Sequence, residues 1–413
     1  MIGLVDGNNF FVSCERVFDP SLEGKPVAVL SNNDGCCISR SNEFKALGIP
    51  MGTPYFQLRN RPELIFRSSN YELYGDLSRR VISILQSLVP NVEQYSIDEA
   101  FIHPMLPAGA DLYEFGKRVR QRVLKWAGIP CGVGFAATKT LAKIANHIGK
   151  KQPEGVFVMP EDCTEVLCKT PVSEVWGIGR RLAPQLERLG IRNALQLSRQ
   201  DIGAMQKRFS VNLGRTISEL CGIPCFEEEN PEDPSKSISC SRSFGHPVVE
   251  FQDLSEAVSV YTAKAAEKLR EEKLTASGIT VYFQMYPEYD PPLPAGQTAV
   301  TVLFPHPTDN TSRMLTEVSA KLPTIYVRNR RYKKAGMFFF GLSSAETVQP
   351  DLFSSGASTE RSELFRVVDK LNRKFGKGTV FTLSEGVKKN WQMKRDLLSK
   401  RYTTDWSSLL EVK

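Results

Sequence analysis

Three acidic residues follow short segments of strand-like sequence, and together they could bind divalent metal ions. Asp6 ends the apolar run of residues 2–5, which is typical of a buried strand. Asp98 and Glu99 follow residues 92–97, whose alternating pattern also predicts a strand. Two Mg²⁺ ions about 4 Å apart, held by carboxylate oxygens, can activate a hydroxyl and stabilise a leaving phosphate. The acids therefore favour phosphoryl transfer, although each one alone is also typical of a solvated turn or a helix cap.

Two predicted helices carry lysines that could neutralise a triphosphate. Residues 42–47 predict a helix that includes Lys45, and residues 138–147 predict another that leads to Lys150 and Lys151. Lysines on a helix are most often simply solvated. The pattern alone therefore assigns none of them to a ligand.

The elements that must position these residues alternate between strand and helix over the first 150 residues. Further strands are predicted at residues 27–30 and 131–135, and further helices at residues 71–88 and 112–126. Acids at two distant places in such a sequence favour an α+β sheet with helices against one face, because that sheet would bring the acids together.

The chain changes character beyond this region, as expected of several domains in 413 residues. Residues 171–230 predict helices with short glycine-containing breaks, and the acidic, proline-rich residues 227–234 predict a linker. Residues 237–342 predict the order strand, helix, strand, strand, helix, strand. The fold class predicted is therefore α+β, in several domains.

Composition excludes a membrane protein and favours a polyanion partner only weakly. Apolar residues make up 41% of the chain, and no apolar run approaches the roughly 20 residues that span a bilayer. No secretory signal is recognisable, so we expect a cytoplasmic location. Residues 361–413 hold thirteen basic and six acidic residues, a surplus equal to the whole net charge of +7. The nine scattered cysteines contain no Cys-x-x-Cys pair and are interpreted as reduced structural thiols.

Two segments have the chemistry of nucleic-acid contacts. Gly177 and Gly179 form a Gly-x-Gly turn that could expose backbone N–H groups to a phosphate. An ordinary helical hairpin is the alternative. In the helix that follows, Leu182, Leu186 and Leu189 are predicted to point inward. Residues 328–334, with Arg330 and Arg331, are the densest basic run before the C-terminal region. Such a run can follow a DNA backbone or protect the edge of a sheet, and both can hold.

The acidic segments resemble the metal-binding motifs of the Y family of translesion DNA polymerases. The first is DGNNFFVSCE at residues 6–15 and the second is YSIDEAF at residues 95–101. The second is the more specific, because Asp-Glu between Ser-Ile and Ala-Phe is rare by chance. The resemblance is strongest to the UmuC-type branch, which supplies the catalytic subunit of DNA polymerase V, and it covers nearly the full length.

The resemblance implies a right-hand polymerase. Its parts would be a palm of sheet plus helices (residues 1–20 and 72–165), small fingers (21–71), a helix–hairpin–helix thumb (166–230), an α/β little finger (237–343) and a clamp- and partner-binding tail (344–413).

The resemblance also implies roles for particular residues in the metal site. Asp6, Asp98, Glu99 and the backbone carbonyl of Gly7 would bind two Mg²⁺ ions. All three acids are intact, which matters because related proteins that lose them can serve as binding platforms.

Around the nucleotide, Phe10 and Phe11 would line the site, and Phe11 would block a ribose 2′-hydroxyl. Without the resemblance, packing of Phe11 in the core would be the preferred interpretation. Lys45 and Lys150 would contact the triphosphate, with Lys151 as the competitor of Lys150. Many family members carry arginine where Lys45 stands, and lysine offers a point charge without a bidentate fork.

Partners follow from the resemblance as well. Gly177, Gly179, Arg330 and Arg331 would contact primer-template DNA. Residues 349–353 match the Gln-x-x-Leu-Phe peptide that bacterial polymerases insert into the β sliding clamp, and the inserted side chains would be Gln349, Leu352 and Phe353. A processed UmuD-type dimer and a RecA filament would complete the assembly on the nucleoid.

The function expected is error-prone, DNA-dependent DNA synthesis from dNTPs across damaged template in the SOS response, by two-metal-ion nucleotidyl transfer and without proofreading. The alternative is a non-catalytic DNA-binding scaffold on a polymerase fold. A repair lyase or glycosylase would want Lys or Asp just beyond the hairpin, where Arg180 and Arg181 stand. A nucleotide cyclase would need neither thumb nor clamp peptide.

Overall fold

The computed structural model describes residues 1–107, 109–226, 235–289, 292–293, 295–347 and 357–409. The strands in these ranges are β1 Ile2–Gly7, β2 Val27–Leu30, β3 Cys37–Arg40, β4 Ile65–Ser68, β5 Asn91–Gln94, β6 Glu99–His103, β7 Cys131–Ala136, β8 Val156–Val158, β9 Ile238–Val248, β10 Leu274–Met285, β11 Glu288–Tyr289, β12 Pro292–Leu293, β13 Gly296–Thr308 and β14 Tyr332–Ser344.

The α-helices in the same ranges are α1 Phe10–Phe18, α2 Asn42–Ala46, α3 Tyr55–Leu58, α4 Tyr71–Gln86, α5 Leu112–Ala127, α6 Lys139–Gly149, α7 Thr164–Lys169, α8 Ala183–Arg188, α9 Ala194–Ser198, α10 Ile202–Arg208, α11 Val211–Leu220, α12 Phe251–Glu271, α13 Thr311–Lys321 and α14 Ala357–Phe375. The chain forms two compact units. One consists of Met1–Ser31, Gly35–Asn230 and Leu397–Lys413, and the other of Asn32–Asp34 and Pro231–Asp396.

The main sheet of the first unit has the strand order β5-β6-β1-β7-β8, with β1 antiparallel to both neighbours. Successive side chains of a strand point to opposite faces, and Leu4 and Val5 accordingly enter different cores. Val5 packs with α1, α4 and α5, whereas Leu4 packs with α6 and the helices that follow. The expectation that helices cover one face was therefore wrong, because β1 is apolar on both faces.

The chain turns between β5 and β6 where a continuous strand was expected. β5 ends at Gln94, and the N–H groups of Tyr95 and Ser96 both donate to the carbonyl of Glu99 over 3.0 Å. Ser96 Oγ accepts from the N–H groups of Asp98 and Glu99 over 3.2 and 3.0 Å. A serine that bonds nearby backbone competes with strand pairing, so the predicted strand at residues 92–97 was too long.

A smaller sheet of the first unit has the order β3-β2-β4, with β2 parallel to β4. Its apolar core includes Leu30, Phe44 and Phe66. Helix α2 follows β3 in the chain and contributes Phe44 to this core. Ser41 caps α2, since its hydroxyl accepts the N–H of Phe44 over 3.2 Å. This arrangement fixes the helix that holds Lys45.

The helical region after β8 agrees with the prediction as far as Leu220, the end of α11. Leu186 is fully buried, but Leu189 is 39% exposed. The inward position predicted for Leu189 was therefore wrong. Helix α8 ends at Arg188, and the chain then turns at Gly190, whose φ of 82° suits glycine.

The main sheet of the second unit, ordered β13-β10-β14-β9, and helices α12 and α13 follow the predicted order, whereas the two-stranded sheet β11-β12 between β10 and β13 was not predicted. Helices α12 and α13 pack on one face through side chains such as Tyr261, Val281 and Phe339. Helix α14 lies against them, because Asp369 accepts two hydrogen bonds from Arg270 over 2.7 and 3.0 Å.

Among the described residues, no helix is long and apolar enough to cross a bilayer. The nine cysteines are free thiols.

Candidate metal and nucleotide site

The acids meet because one strand ends where its neighbour begins. In the antiparallel pairing of β1 with β6, Asp6 lies opposite Glu99. The N–H of Gly7 donates to the carbonyl of Asp98 over 2.9 Å, which brings residue 7 beside the second acidic segment. Residues about ninety positions apart in sequence thus share one edge of the sheet.

Ser96 orients the carboxylate of Asp98. Its hydroxyl donates to Asp98 Oδ1 over 2.6 Å while its oxygen accepts two backbone N–H groups. The hydroxyl hydrogen therefore points at the acid. A carboxylate held in this way loses little side-chain entropy when it binds a ligand.

The site concentrates negative charge away from water. Burial raises the pKa of Asp6 to about 6, and the charges of Glu99 and Asp98 act in the same direction. The ammonium of Lys150, 2.6 Å from Asp6 Oδ2, acts against them. Gly132 makes room for that lysine, because a Cβ at Gly132 would lie 2.6 Å from Lys150 Cγ.

A second lysine, Lys143, neutralises the charge of Glu99 at the start of β6. Lys143 Nζ lies 3.0 Å from both carboxylate oxygens of Glu99 and 4.3 Å from the centre of the Tyr95 ring. In the part of the chain that the structure describes, no three acidic, histidine or cysteine side chains are gathered closely enough to hold a metal ion. Asp6 and Glu99 instead each bind an ammonium group.

The donor chemistry nevertheless fits hard divalent cations. Three carboxylates share one edge, two of them already attract a cationic group, and oxygen ligands are what Mg²⁺ prefers. Release of Lys143 and Lys150 would leave Glu99 and Asp6 available as ligands.

The predicted fingers lysine also lies near this site. Lys45 Nζ donates to Asn9 Oδ1 over 2.5 Å, and Asn9 adopts a left-handed backbone with φ of 48°. Burial lowers the pKa of Lys45, and the neighbouring charges of Arg40 and Lys150 lower it further. Mutual repulsion among three cations indicates a place where an anion would be stabilised.

Sequence reasoning missed three contributors to this site. Arg40 ends β3, and the buried Nε of its guanidinium has no hydrogen-bond partner among the residues that the structure describes. No spacing in the sequence singled it out. Asn9 gave no signal either. Lys143 of α6 was not assigned a role either, although it lies seven residues, about two helical turns, before Lys150 at the end of that helix.

The two phenylalanines after the first acidic segment differ in exposure. Phe10 is 4% exposed and belongs to the core. Phe11 is half-buried, and its ring stacks on Tyr74 with centres 4.6 Å apart and meets Tyr71 edge-on at 5.9 Å. One side of the Phe11 ring therefore packs against tyrosines, and the rest of the side chain is partly exposed.

The predicted DNA contacts lie in both units. Gly177, with φ of 86°, and Gly179 are exposed on either side of Ile178, which is 5% exposed and anchors the turn. Arg331 is exposed, whereas Arg330 is half-buried and donates to the carbonyl of Tyr286 over 3.1 Å. The predicted clamp contacts lie outside the described residues: Gln349, Leu352 and Phe353.

Sequence profiles of known families match most of the chain. The impB/mucB/samB family matches residues 5–147, its C-terminal domain matches residues 235–352, and the IMS family HHH motif matches residues 160–191. Residues 362–412 match a domain of unknown function, DUF4113.

Full-length relatives and solved structures agree with these matches. Protein UmuC of Salmonella typhimurium is 43% identical over all of both chains, and Protein ImpB of the same species is 40% identical over 99% of both. DNA polymerase IV 1 of Bacillus subtilis is 26% identical over 95% of this chain and 96% of its own. A Y-family DNA polymerase chimera, Dbh-Dpo4(243-245)-Dbh, superposes with a TM-score of 0.66 at 22% identity, covering 83% of this chain and 100% of its own.

The solved structure shows the fold, and the identity to Protein UmuC over the whole length shows the family. The chain has the right-hand fold of the Y-family polymerases. It belongs to the impB/mucB/samB family, in the UmuC-type branch of the Y-family DNA polymerases.

Proposed function

We propose that this protein is an error-prone, DNA-directed DNA polymerase that copies across damaged template in the SOS response, without proofreading. The observation that carries the proposal is the antiparallel pairing that places Asp6 opposite Glu99, beside Asp98, in a chain of the UmuC-type branch. A scaffold without catalytic activity would have no need of these half-buried, mutually repelling acids.

We assign the parts of the hand as the sequence suggested. The palm is residues 1–20 and 72–165, the fingers 21–71, the thumb 166–230, the little finger 237–343 and the partner-binding tail 344–413. The protein would act in the cytoplasm, on the nucleoid.

Asp6, Asp98, Glu99 and the carbonyl of Gly7 would hold two Mg²⁺ ions. When bound, these ions would activate the primer 3′-hydroxyl and neutralise the leaving pyrophosphate. The chain's own part is to orient Asp98 through Ser96 and to supply cations that can leave the carboxylates. Because phosphoryl transfer needs mainly alignment and charge neutralisation, these roles match what the reaction would require of the protein.

The dNTP would lie between the carboxylates and the fingers cations. Lys150, once it leaves Asp6, can reach a phosphate, and Lys45 with Arg40 supplies further positive charge. The exposed part of Phe11 would face the sugar, while buried Phe10 supports the backbone beneath it. A deoxyribose would fit beside the Phe11 ring, whereas the 2′-hydroxyl of a ribose would clash with it.

We expect Lys150→Ala to raise the KM for dNTP about tenfold or more, because it removes a charge-assisted contact to phosphate. Lys151→Ala is the matched control. Lys151 is exposed and should change the KM less than about twofold. Steady-state incorporation of one nucleotide measures both. Equal effects of the two variants would contradict the assignment of Lys150.

Primer-template DNA would be held by two kinds of contact. Backbone N–H groups around Gly177 and Gly179 suit phosphate, and exposed Arg331 adds charge at the start of β14. Arg330 precedes it in the same basic segment, although its guanidinium also donates a hydrogen bond to the carbonyl of Tyr286. These contacts fix position along DNA and carry no sequence preference.

A processed UmuD-type dimer would dock on α14. One face of this helix packs inward through Phe365 and Asp369, and the opposite face is apolar and exposed. The side chains of that exposed face and their exposed fractions are Leu364 58%, Val367 52%, Leu371 37% and Phe375 62%. Exposed apolar patches of this kind mark protein interfaces. The β sliding clamp would bind Gln349, Leu352 and Phe353. A RecA filament would complete the assembly.

Primer extension past a single abasic site tests the proposal. The full chain is assayed with the processed UmuD-type dimer, RecA filament, clamp and Mg²⁺, on damaged and undamaged templates. We expect extension past the lesion that stops when a chelator removes Mg²⁺. Retained binding to primer-template without any extension on either template would favour the non-catalytic scaffold.

A further inference from the structure

The segment from Leu397 to Tyr402, called here the C-terminal strap, belongs to the first unit and lies beside the start of α4. Ser68 and Leu398 form an isolated parallel bridge. The N–H of Ser68 donates to the carbonyl of Leu397, and the N–H of Leu397 donates to Ser68 Oγ, both over 2.9 Å. At its other end the ring of Tyr402 stacks on Phe18, with centres 4.8 Å apart. The strap is thus fixed at both ends.

Ser399, in the middle of the strap, reaches a buried carboxyl. Its hydroxyl donates to Glu15 Oε1 over 3.1 Å, and the same oxygen accepts the hydroxyl of Tyr74 over 2.6 Å. Glu15 is 1% exposed. Burial raises the pKa of Glu15, and the two hydroxyls act against that rise. A buried carboxyl depends on such donors, so loss of one disturbs the other.

Asn70 connects the strap to α4 by a second route. Its Nδ2 donates to Ser399 Oγ over 3.0 Å and to the carbonyl of Lys400 over 3.3 Å. Its Oδ1 accepts the N–H of Leu73 over 3.3 Å and so caps α4. This side chain is 3% exposed. The strap therefore holds the residue that starts the helix.

The first turn of α4 carries the rings that support Phe11. Tyr74 stacks on Phe11 with an angle of 16° between the rings, and Tyr71 meets it edge-on. Both routes from Ser399, through Glu15 to Tyr74 and through Asn70 to the helix cap, end at these tyrosines. Phe11 is thus connected, through these contacts, to a residue about 390 positions away in the chain.

We infer that the C-terminal strap positions Phe11 and thereby sets how strongly the polymerase rejects ribonucleotides, with Ser399 as the positioning residue. The inference rests on the proposed role of Phe11 beside the sugar. A ring that excludes one hydroxyl must be held within a fraction of an ångström. The strap supplies that restraint indirectly, through Tyr74 and the first turn of α4.

The test compares incorporation of dCTP and rCTP opposite a template guanine by the complete assembly. Ser399→Ala removes one hydrogen bond to Glu15 and one from Asn70. We expect it to reduce the ratio of kcat/KM for dCTP to that for rCTP about tenfold, chiefly through faster rCTP incorporation. Ser399→Thr keeps a hydroxyl and should restore the ratio to within about threefold. Ser407→Ala, at an exposed serine whose hydroxyl donates to Asp405 nearby, is the control.

A double-mutant cycle gives a readout that general destabilisation would not produce. Tyr74→Phe removes the other donor to Glu15 and should lower the same ratio. Combined with Ser399→Ala it should add little further loss, because both changes act through one carboxyl. Additive losses would overturn the route through Glu15 and with it the inference.

A reference variant separates this inference from the proposed function. Phe11→Val should lower the ratio by more than Ser399→Ala. If Phe11→Val lowers it while Ser399→Ala and Tyr74→Phe leave it within twofold of wild type, the role of the strap is overturned and that of Phe11 stands. If Phe11→Val leaves the ratio unchanged, the role of Phe11 fails and the strap inference fails with it.

Discussion

Incorporation of a single dNTP is expected to fall at least about 1,000-fold when Asp98 becomes Asn and Glu99 becomes Gln. Both replacements keep the shape of the side chain and remove one negative charge each. The site then loses two of its three anionic ligands for Mg²⁺, which together should contribute several kcal/mol to transition-state stabilisation. Pre-steady-state incorporation on undamaged primer-template, with all partners present, measures the loss.

The same experiment needs a control for charge and one for DNA binding. Glu114→Gln with Asp162→Asn makes the same change of charge at exposed positions and should leave incorporation within about twofold. Binding of the Asp98 and Glu99 variant to primer-template should remain, because phosphate contacts come from other residues. Incorporation equal to wild type would show that the metal-binding acids lie elsewhere.

The second large effect is expected in the region matched to the domain of unknown function. Arg270 and Asp369 form a two-bond ion pair with side chains 4% and 8% exposed. Asp369→Ala should destabilise the packing of α14 on α12 by about 3 kcal/mol, because it leaves a buried guanidinium without its carboxylate. Amide exchange in the last two turns of α14 should then be more than about 100-fold faster in the full-length protein.

An exposed ion pair on the same two helices is the matched comparison. Arg373 lies 3.2 Å from Glu271, with side chains 57% and 48% exposed. Exposed pairs of this kind contribute at most about 1 kcal/mol. Arg373→Ala should therefore change exchange in α14 less than about fivefold. Similar exchange in the two variants would mean that α14 is held by apolar packing and that the buried pair adds nothing.

The local pattern of the chain determined which segments form strands and helices and which residues carry the chemistry. The start of β1, the extent of α4 and α5, and the order of elements in the second unit follow from apolar periodicity. The acids were recognisable because a metal motif requires particular residue types within a few positions. Such information is local, and a sequence contains it directly.

Turns set by side-chain hydrogen bonds were harder to predict. The strand expected over residues 92–97 ended early because Ser96 bonds the backbone of Asp98 and Glu99. An alternating pattern cannot reveal this competition. Ser96 also holds the carboxylate of Asp98, so the failed strand prediction fell at a residue that we propose as a metal ligand.

Tertiary structure alone decided which distant residues meet. The pairing of Asp6 with Glu99, the contacts of Lys143 and Lys150 with those acids, and the link from Ser399 to Tyr74 join segments far apart in the chain. Each contact depends on strand register or on shared burial, and both are set by the packing of the whole unit. A sequence therefore specifies the chemical groups of this site, whereas the fold determines their distances, their charges and the residues that hold them in place.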